Sequence, residues 1–170
     1  GPRDVLVTME ACGICSWDVV AYAGNFGQRH AYPFCAGHEG IGRVIEVGNM
    51  VKNIYKGQRV AVHEAPIGEP GGAHMACHAC RPETGVTVLP EDNRPIHHWV
   101  IVEPVCCVLN GIMYLNMHPG DKVAVVGTGF MGLLFIQALR RCLTHQITAI
   151  DIDSHRLELA RQFGADEIIN

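Results

Sequence analysis

The sequence predicts an α/β protein in two parts, a β-rich first part folded as a small barrel and, after it, the opening half of a doubly wound parallel sheet. Three observations predict this. The first hundred or so residues carry short apolar stretches punctuated by glycine and proline, the pattern of short strands and tight turns. After "IHHWVIVEP" the apolar runs lengthen into alternating strand and helix patterns. The run "DKVAVVG" is apolar enough to be a strand buried on both faces, as parallel strands are.

Taken in order, "DVLVTME" (Asp4 to Glu10) alternates apolar and polar residues and reads as a half-buried strand. "WDVVAYAG" gives one or two helical turns ending at Gly24. "GHEGIGRVIEVG" is a glycine-punctuated strand whose Val44, Ile45 and Val47 favour extended backbone, and "GQRVAVHE" is another strand. "APIGEPGG", residues 65 to 72, is a proline and glycine loop, and "VTVLP" is a short strand closed by Pro90. Residues 105 to 117 form a helix that Pro119 and Gly120 end. The strand "DKVAVVG", the helix "FMGLLFIQALRRC", apolar all round, and the strand "ITAID" follow. The helix "SHRLELARQFG" takes Ser154 as N-cap and Gly164 as its stop, and "GADEIIN" begins a third strand. This order is that of a doubly wound sheet. The two parts divide near residue 108, into 1–108 and 109–170.

A chain of 170 residues with formal net charge −4 can bury one large core or two small ones. Its scattered lysines and arginines leave no basic stripe to follow a phosphate backbone, which argues against nucleic acid as a partner. No uninterrupted apolar run approaches a bilayer span, and no basic segment with an apolar core opens the chain, so no membrane partner is expected. The eight cysteines sit in apolar or strand-like contexts, and a reducing, cytoplasmic setting is expected rather than a disulfide framework. Gly1 in first place and a sheet only just begun at Asn170 lead to the expectation of a piece of a longer polypeptide, with roughly as much chain again.

Residues 127 to 132, "GTGFMG", satisfy G-x-G-x-x-G between a strand and a helix, and Asp151 stands 24 positions after Gly127 at the end of the next strand. That context, more than the hexapeptide, makes the pattern specific for a dinucleotide. Gly127 allows the tight turn, and Gly129 lets backbone amides at the helix start, where Phe130 and Met131 stand, approach a pyrophosphate. Gly132 lets helix and strand pack closely. Asp151 would accept hydrogen bonds from ribose hydroxyls and repel a 2′-phosphate, which favours NAD over NADP, while Arg156 tempers that preference. The alternative is a βαβ unit whose glycines serve packing alone.

In "ACGICSWDVV" two cysteines, Cys12 and Cys15, lie three positions apart. Further on, His38 and Glu39 stand between glycines at a strand start, and Glu103 directly precedes a proline at a helix entrance. One thiolate, one imidazole and one or two carboxylates form a mixed donor set of the kind that holds a catalytic zinc with a position left open. Spacing alone does not bring these segments together.

These residues carry a resemblance. "GPRDVLVTMEACGICSWD", "GHEGIGRVIEVG", "GQRVAV", "VEPVCCVLNGI", "GDKVAVVGTGFMGLL" and "DIDSHRLELARQFGAD" occur in the order and approximate spacing of the zinc-dependent alcohol dehydrogenases of the medium-chain dehydrogenase/reductase family, over nearly the whole chain. The resemblance implies a GroES-like, barrel-type domain followed by the first half of a Rossmann fold. It implies one catalytic zinc held by Cys15, His38 and Glu103, with Glu39 able to bind or leave the metal, as in members similar to sorbitol and threonine dehydrogenases. Asp18 matches the aspartate behind the metal-bound histidine, where a carboxylate fixes the tautomer and raises basicity. Cys12 then reads as a small buried residue at a strand end. The implied reaction is hydride transfer between NAD and an alcohol, a polyol, amino alcohol or sugar-derived alcohol rather than ethanol. The full-length protein is expected to be a homo-oligomer, and the 170-residue chain alone to be inactive. A relic that binds dinucleotide or zinc without catalysis is the alternative.

The sequence departs from the family twice. Trp17 stands where many members start a proton relay with serine or threonine, and an indole N–H donates but cannot accept the alcohol's proton. Val20 occupies the place of the relay's histidine, which leaves the proton step to water, Glu39, Glu103 or Ser16. The lobe of four closely spaced cysteines that holds a structural zinc is also missing. Cys77 and Cys80 offer half such a site and fall on opposite faces of a regular strand, so no structural zinc is expected. His97 and His98, adjacent in extended chain, point apart and read as loop residues. Cys106 and Cys107 read as buried on a helix, and Trp17 and Phe26 read equally as pocket lining or core.

Overall fold

The structure, a computed structural model, describes residues 1–25, 35–63, 74–142 and 144–170; Phe26 and the loop predicted at 65–72 lie outside the described residues. The chain divides into two compact units, Gly1–Glu103 and Pro104–Asn170. The sequence-derived boundary at residue 108 falls within the helix that crosses this division.

The first unit is an antiparallel sheet of five strands in the order β4-β1-β2-β3-β5. They are β1 (Asp4–Gly13), β2 (Glu39–Val47), β3 (Arg59–Val62), β4 (His78–Pro82) and β5 (Val86–Val88). The helix α1 (Ser16–Tyr22) follows β1. Alternation along β1 sends Val5 and Val7 into a core shared with Val44, Val60, Val62, Ala79 and Val86. β-branched valines suit this half-buried pleated surface. Two register shifts in β1, at Leu6/Val7 and Met9/Ala11, bend the strand so that Gly13 pairs with Glu39 and Cys12 with Gly40. The end of β1 therefore meets the beginning of β2.

The stretch predicted to be extended at His97 and His98 is a 3₁₀ helix, Ile96–Ile101, and the two rings meet edge to face at 4.7 Å. It runs on into α2 (Val102–Tyr114). The helix begins three residues before the predicted start because Pro104 in the first turn removes an N–H that has no intrahelical partner in any case. Ile96–Tyr114 is, among the described residues, the one helical stretch long and apolar enough to cross a membrane, although no uninterrupted apolar run marks it. Ile96, Trp99, Val100 and Val102 of this stretch pack, partly buried, on Ile41, Ala61 and Leu89.

The second unit holds the parallel sheet β6-β7-β8: β6 (Lys122–Val126), β7 (Gln146–Ile150) and β8 (Glu167–Ile169). The helices α3 (Phe130–Leu139) and α4 (Ser154–Gln162) make the crossovers. Ile136, Leu139, Ile147, Ala149 and Leu157 form its core, with Val123 and Val125 packed against them. Three expectations are corrected here. β6 is not buried on both faces: it is an edge strand of the described sheet, and Val126 is 79% exposed while Val123 and Val125 turn to the helices. The α4 cap is Asp153 rather than Ser154; its backbone is extended and its carboxylate accepts from the N–H groups of His155 (2.9 Å) and Arg156 (3.3 Å). Cys106 and Cys107 are exposed on α2, not buried, because the apolar stripe that enters the core runs through Val108 and Ile112. Gly164, at φ +116°, follows the end of α4 as a left-handed stop.

Candidate functional site

The β1–β2 register is what assembles a donor cluster in the first unit. Gly13 opposite Glu39 brings Cys15, two residues further on, beside His38, one residue earlier. The ligand atoms of Cys15, His38 and Glu39 lie within 4.8 Å of one another, and His38 and Glu39 are buried. A β-carbon on Gly13 would overlap the Glu39 carboxylate where it now lies, so glycine here leaves that side chain its place beside Cys15. Burial, and then the charge of Glu103, push the Glu39 carboxyl above its ordinary value. Glu103, half-buried in the first turn of α2, stands outside the cluster itself, although its charge reaches Glu39.

Asp18 ties together the two segments that carry Cys15 and His38. It is 6% exposed and accepts from the N–H of Cys15 (2.9 Å) and from that of Gly37 (3.0 Å). Its Oδ1 lies 3.8 Å from His38 Nδ1, too far for a hydrogen bond but close enough for attraction to the ring. Trp17 stands edge-on to the His38 ring at 5.6 Å. Cys12 lies on β1 with its thiol raised to about 11 by burial, a neutral group beside the donors rather than one of them. Cys77 and Cys80 are exposed.

One residue was not anticipated. His74 is 1% exposed, and burial, with the nearby Arg81 cation, lowers its pKa to about 4. Its main chain runs beside the residues leading into His38, with its N–H on the Gly37 carbonyl at 3.2 Å. Nothing in the local pattern "GGAHMAC" separates it from a loop histidine.

In the second unit the turn after β6 is closed by Gly127, at φ +87°, whose N–H bonds the Ile150 carbonyl at 2.8 Å. A β-carbon on Gly132 would overlap the Gly127 carbonyl, so only glycine lets α3 start this close to the strand. Gly129 precedes α3, and Phe130 and Met131 form its exposed first turn. Asp151 is fixed by Thr128, whose N–H (2.6 Å) and hydroxyl (3.0 Å) both reach Oδ2, and by the N–H of Asp153 on Oδ1 (2.9 Å). These donors, the Asp153 N–H foremost, hold its carboxyl below the usual range. Arg156 pairs with Asp153 at 3.7 Å. Thr128, fully buried, was hidden as an "x" of the glycine pattern; its hydroxyl was the available signal.

Residues 1–91 match the family model described as alcohol dehydrogenase GroES-like domain. L-idonate 5-dehydrogenase of Vitis vinifera is 30% identical over 99% of this chain and 52% of its own length. Sorbitol dehydrogenase of Arabidopsis thaliana is 30% identical over 99% of this chain and 53% of its own length. Among solved structures, a Sinorhizobium meliloti 1021 protein named as a zinc-binding dehydrogenase and bound to NADP superposes with TM-score 0.88 at 28% identity, over 100% of this chain and 55% of that one. The chain thus spans about half the length of the curated relatives it matches. With a GroES-like antiparallel sheet followed by a parallel sheet in the order of a Rossmann fold, this chain belongs to the alcohol dehydrogenase GroES-like family, among the zinc-dependent medium-chain dehydrogenase/reductases.

Proposed function

We propose that this chain is the metal-binding and nucleotide-binding part of an oxidoreductase that moves a hydride between a small alcohol and NAD. The observation that carries the reading is the convergence of one thiolate, one imidazole and one carboxylate, on Cys15, His38 and Glu39, within 4.8 Å. A borderline-soft dication such as zinc suits that mixture, and calcium or magnesium, which prefer oxygen alone, do not. Cys15, His38 and Glu39 would hold the ion, and Glu103, whose charge reaches Glu39, is the carboxylate that would replace Glu39 on the metal. When bound, zinc supplies Lewis acidity that favours loss of the hydroxyl proton of an alcohol.

The protein's own groups do the rest. Asp18 locks the backbones on either side of the cluster and favours the His38 tautomer that presents Nε2. Whichever of Glu39 and Glu103 is off the metal would take or return the proton, a task the Trp17 indole cannot do. The first N–H groups of α3 receive the pyrophosphate, those of Gly127 and Thr128 being already engaged. Asp151, with three of its lone-pair sites taken, keeps one on Oδ1 for a ribose hydroxyl and opposes a 2′-phosphate, which supports NAD over NADP. The names of the polyol dehydrogenases it resembles favour a polyol or sugar-derived alcohol as substrate.

The test is metal analysis and an NAD-linked alcohol panel on the full-length protein. We expect Cys15→Ser to lose the zinc and at least a thousandfold in turnover. Zinc retained by that variant would refute the reading. Trp17 beside His38 favours a second reading, a binding protein without turnover, which the same panel identifies by zinc and NAD bound and no alcohol oxidised.

A further inference from the structure

His74 is a fully buried imidazole whose two ring nitrogens have no hydrogen-bond partner among the described residues. Buried polar groups are nearly always satisfied, so an orphan in a packed core calls for a reason. Its placement supplies one. The stem of the ring lies on the bare α-carbon of Gly40: a β-carbon there would stand 2.7 Å from His74 Cβ and 2.8 Å from its Cγ. Its N–H bonds the Gly37 carbonyl (3.2 Å), and that of Met75 bonds the Ala36 carbonyl (3.0 Å). His74 thus flanks residues 36 to 40, the segment that bears His38 and Glu39. The carbonyls of His38 and His63 face the ring, although neither closes a bond of good geometry. A neutral imidazole has a single N–H, so two carbonyls compete for one donor.

We propose that His74 is a positioning residue of the metal centre: seated on Gly40 and facing the His38 carbonyl, its imidazole sets the backbone from His38 to Gly40 so that the His38 and Glu39 side chains aim at Cys15. It does not itself touch the ion. A packing residue at this place would need only volume, whereas this one has a polar ring turned towards the peptide of a ligand. The inference rests on the metal-centre reading above.

The test uses cobalt(II) as the probe on the full-length protein, with affinity read by chelator competition and site geometry by the thiolate-to-cobalt charge-transfer band. His74→Leu keeps the volume and removes both nitrogens, and His74→Gln restores an N–H donor. We expect His74→Leu to bind cobalt at least tenfold more weakly, with an altered band, while the metal-free protein melts no lower than the parent; His74→Gln should lie within about threefold of the parent. Parental affinity and an unchanged band in folded His74→Leu would overturn the assignment. So would a His74→Gln variant as weak as His74→Leu. Should His74→Leu not fold, His74→Met, which adapts to irregular space, takes its place in the same comparison. The Cys15→Ser control separates the two ideas: a charge-transfer band that survives it sinks the metal centre, and a band lost there but indifferent to His74→Leu sinks this inference alone.

Discussion

Gly13 and Glu39 face each other across β1 and β2, and even a methyl group on the first would overlap the carboxylate of the second. Gly13→Ala should therefore cost about 1–3 kcal/mol in overpacking and weaken zinc binding roughly tenfold, the scale of a disturbed ligand support; parental zinc affinity in a chelator titration would show that Glu39 is not held where the metal needs it. His74 makes a pH prediction. Its pKa is about 4 in the folded protein against 6.5 ordinarily, so the unfolded chain takes up a proton in the window where the folded one does not. Stability from this group is present above pH 6.5 and falls as pH drops towards 4, by about 3 kcal/mol in full. Urea unfolding of metal-free protein at pH 7.5 and pH 4.5 checks it, and a pH slope undiminished in His74→Leu contradicts it. The candidate ligands Cys15, His38 and Glu103, with Glu39 able to join them, were readable because they sit in stretches that match a known family, and the structure gathers Cys15 and His38 with Glu39 instead. His74 was not, because a histidine looks the same in sequence whether buried or exposed.

At the scale of elements, the strand, helix, strand order of the second unit was legible from apolar period and turn residues, and its edges were not. Asp153 and Ser154 are both good N-caps, and only the backbone decides: Asp153 is extended and bonds two free N–H groups, whereas Ser154 is already helical. Asp153→Ala should lower stability by about 1 kcal/mol, and Ser154→Ala by a few tenths at most, measured by chemical unfolding; the reverse order would return the cap to Ser154. Gly132→Ala tests the nucleotide turn. Its methyl would run into the Gly127 carbonyl, so α3 must move away from β6. We expect dinucleotide affinity to fall at least tenfold by titration calorimetry while the cobalt band of the first unit is unchanged, because the perturbation stays within the second unit.

On the scale of the whole molecule, the described surface carries exposed apolar side chains: Val126 is 79% exposed, Ile152 95% and Met113 80%. Exposed apolar groups in such numbers promote association. Residues 1–170 made alone should sediment as a mixture of larger species, and a single monomeric boundary at micromolar concentration would contradict this. By itself the sequence determined the two-part architecture, the glycine turn with Asp151 behind it and the family to which the chain belongs, because these depend on local period, on the backbone needs of glycine and on residue order. Only the tertiary structure decided that Glu39 joins Cys15 and His38 while Glu103 stands outside their cluster, that Thr128 grips Asp151 and that His74 is buried behind His38. Those facts depend on strand register and bulges, which bring together residues far apart in the chain and leave no mark on the sequence between them.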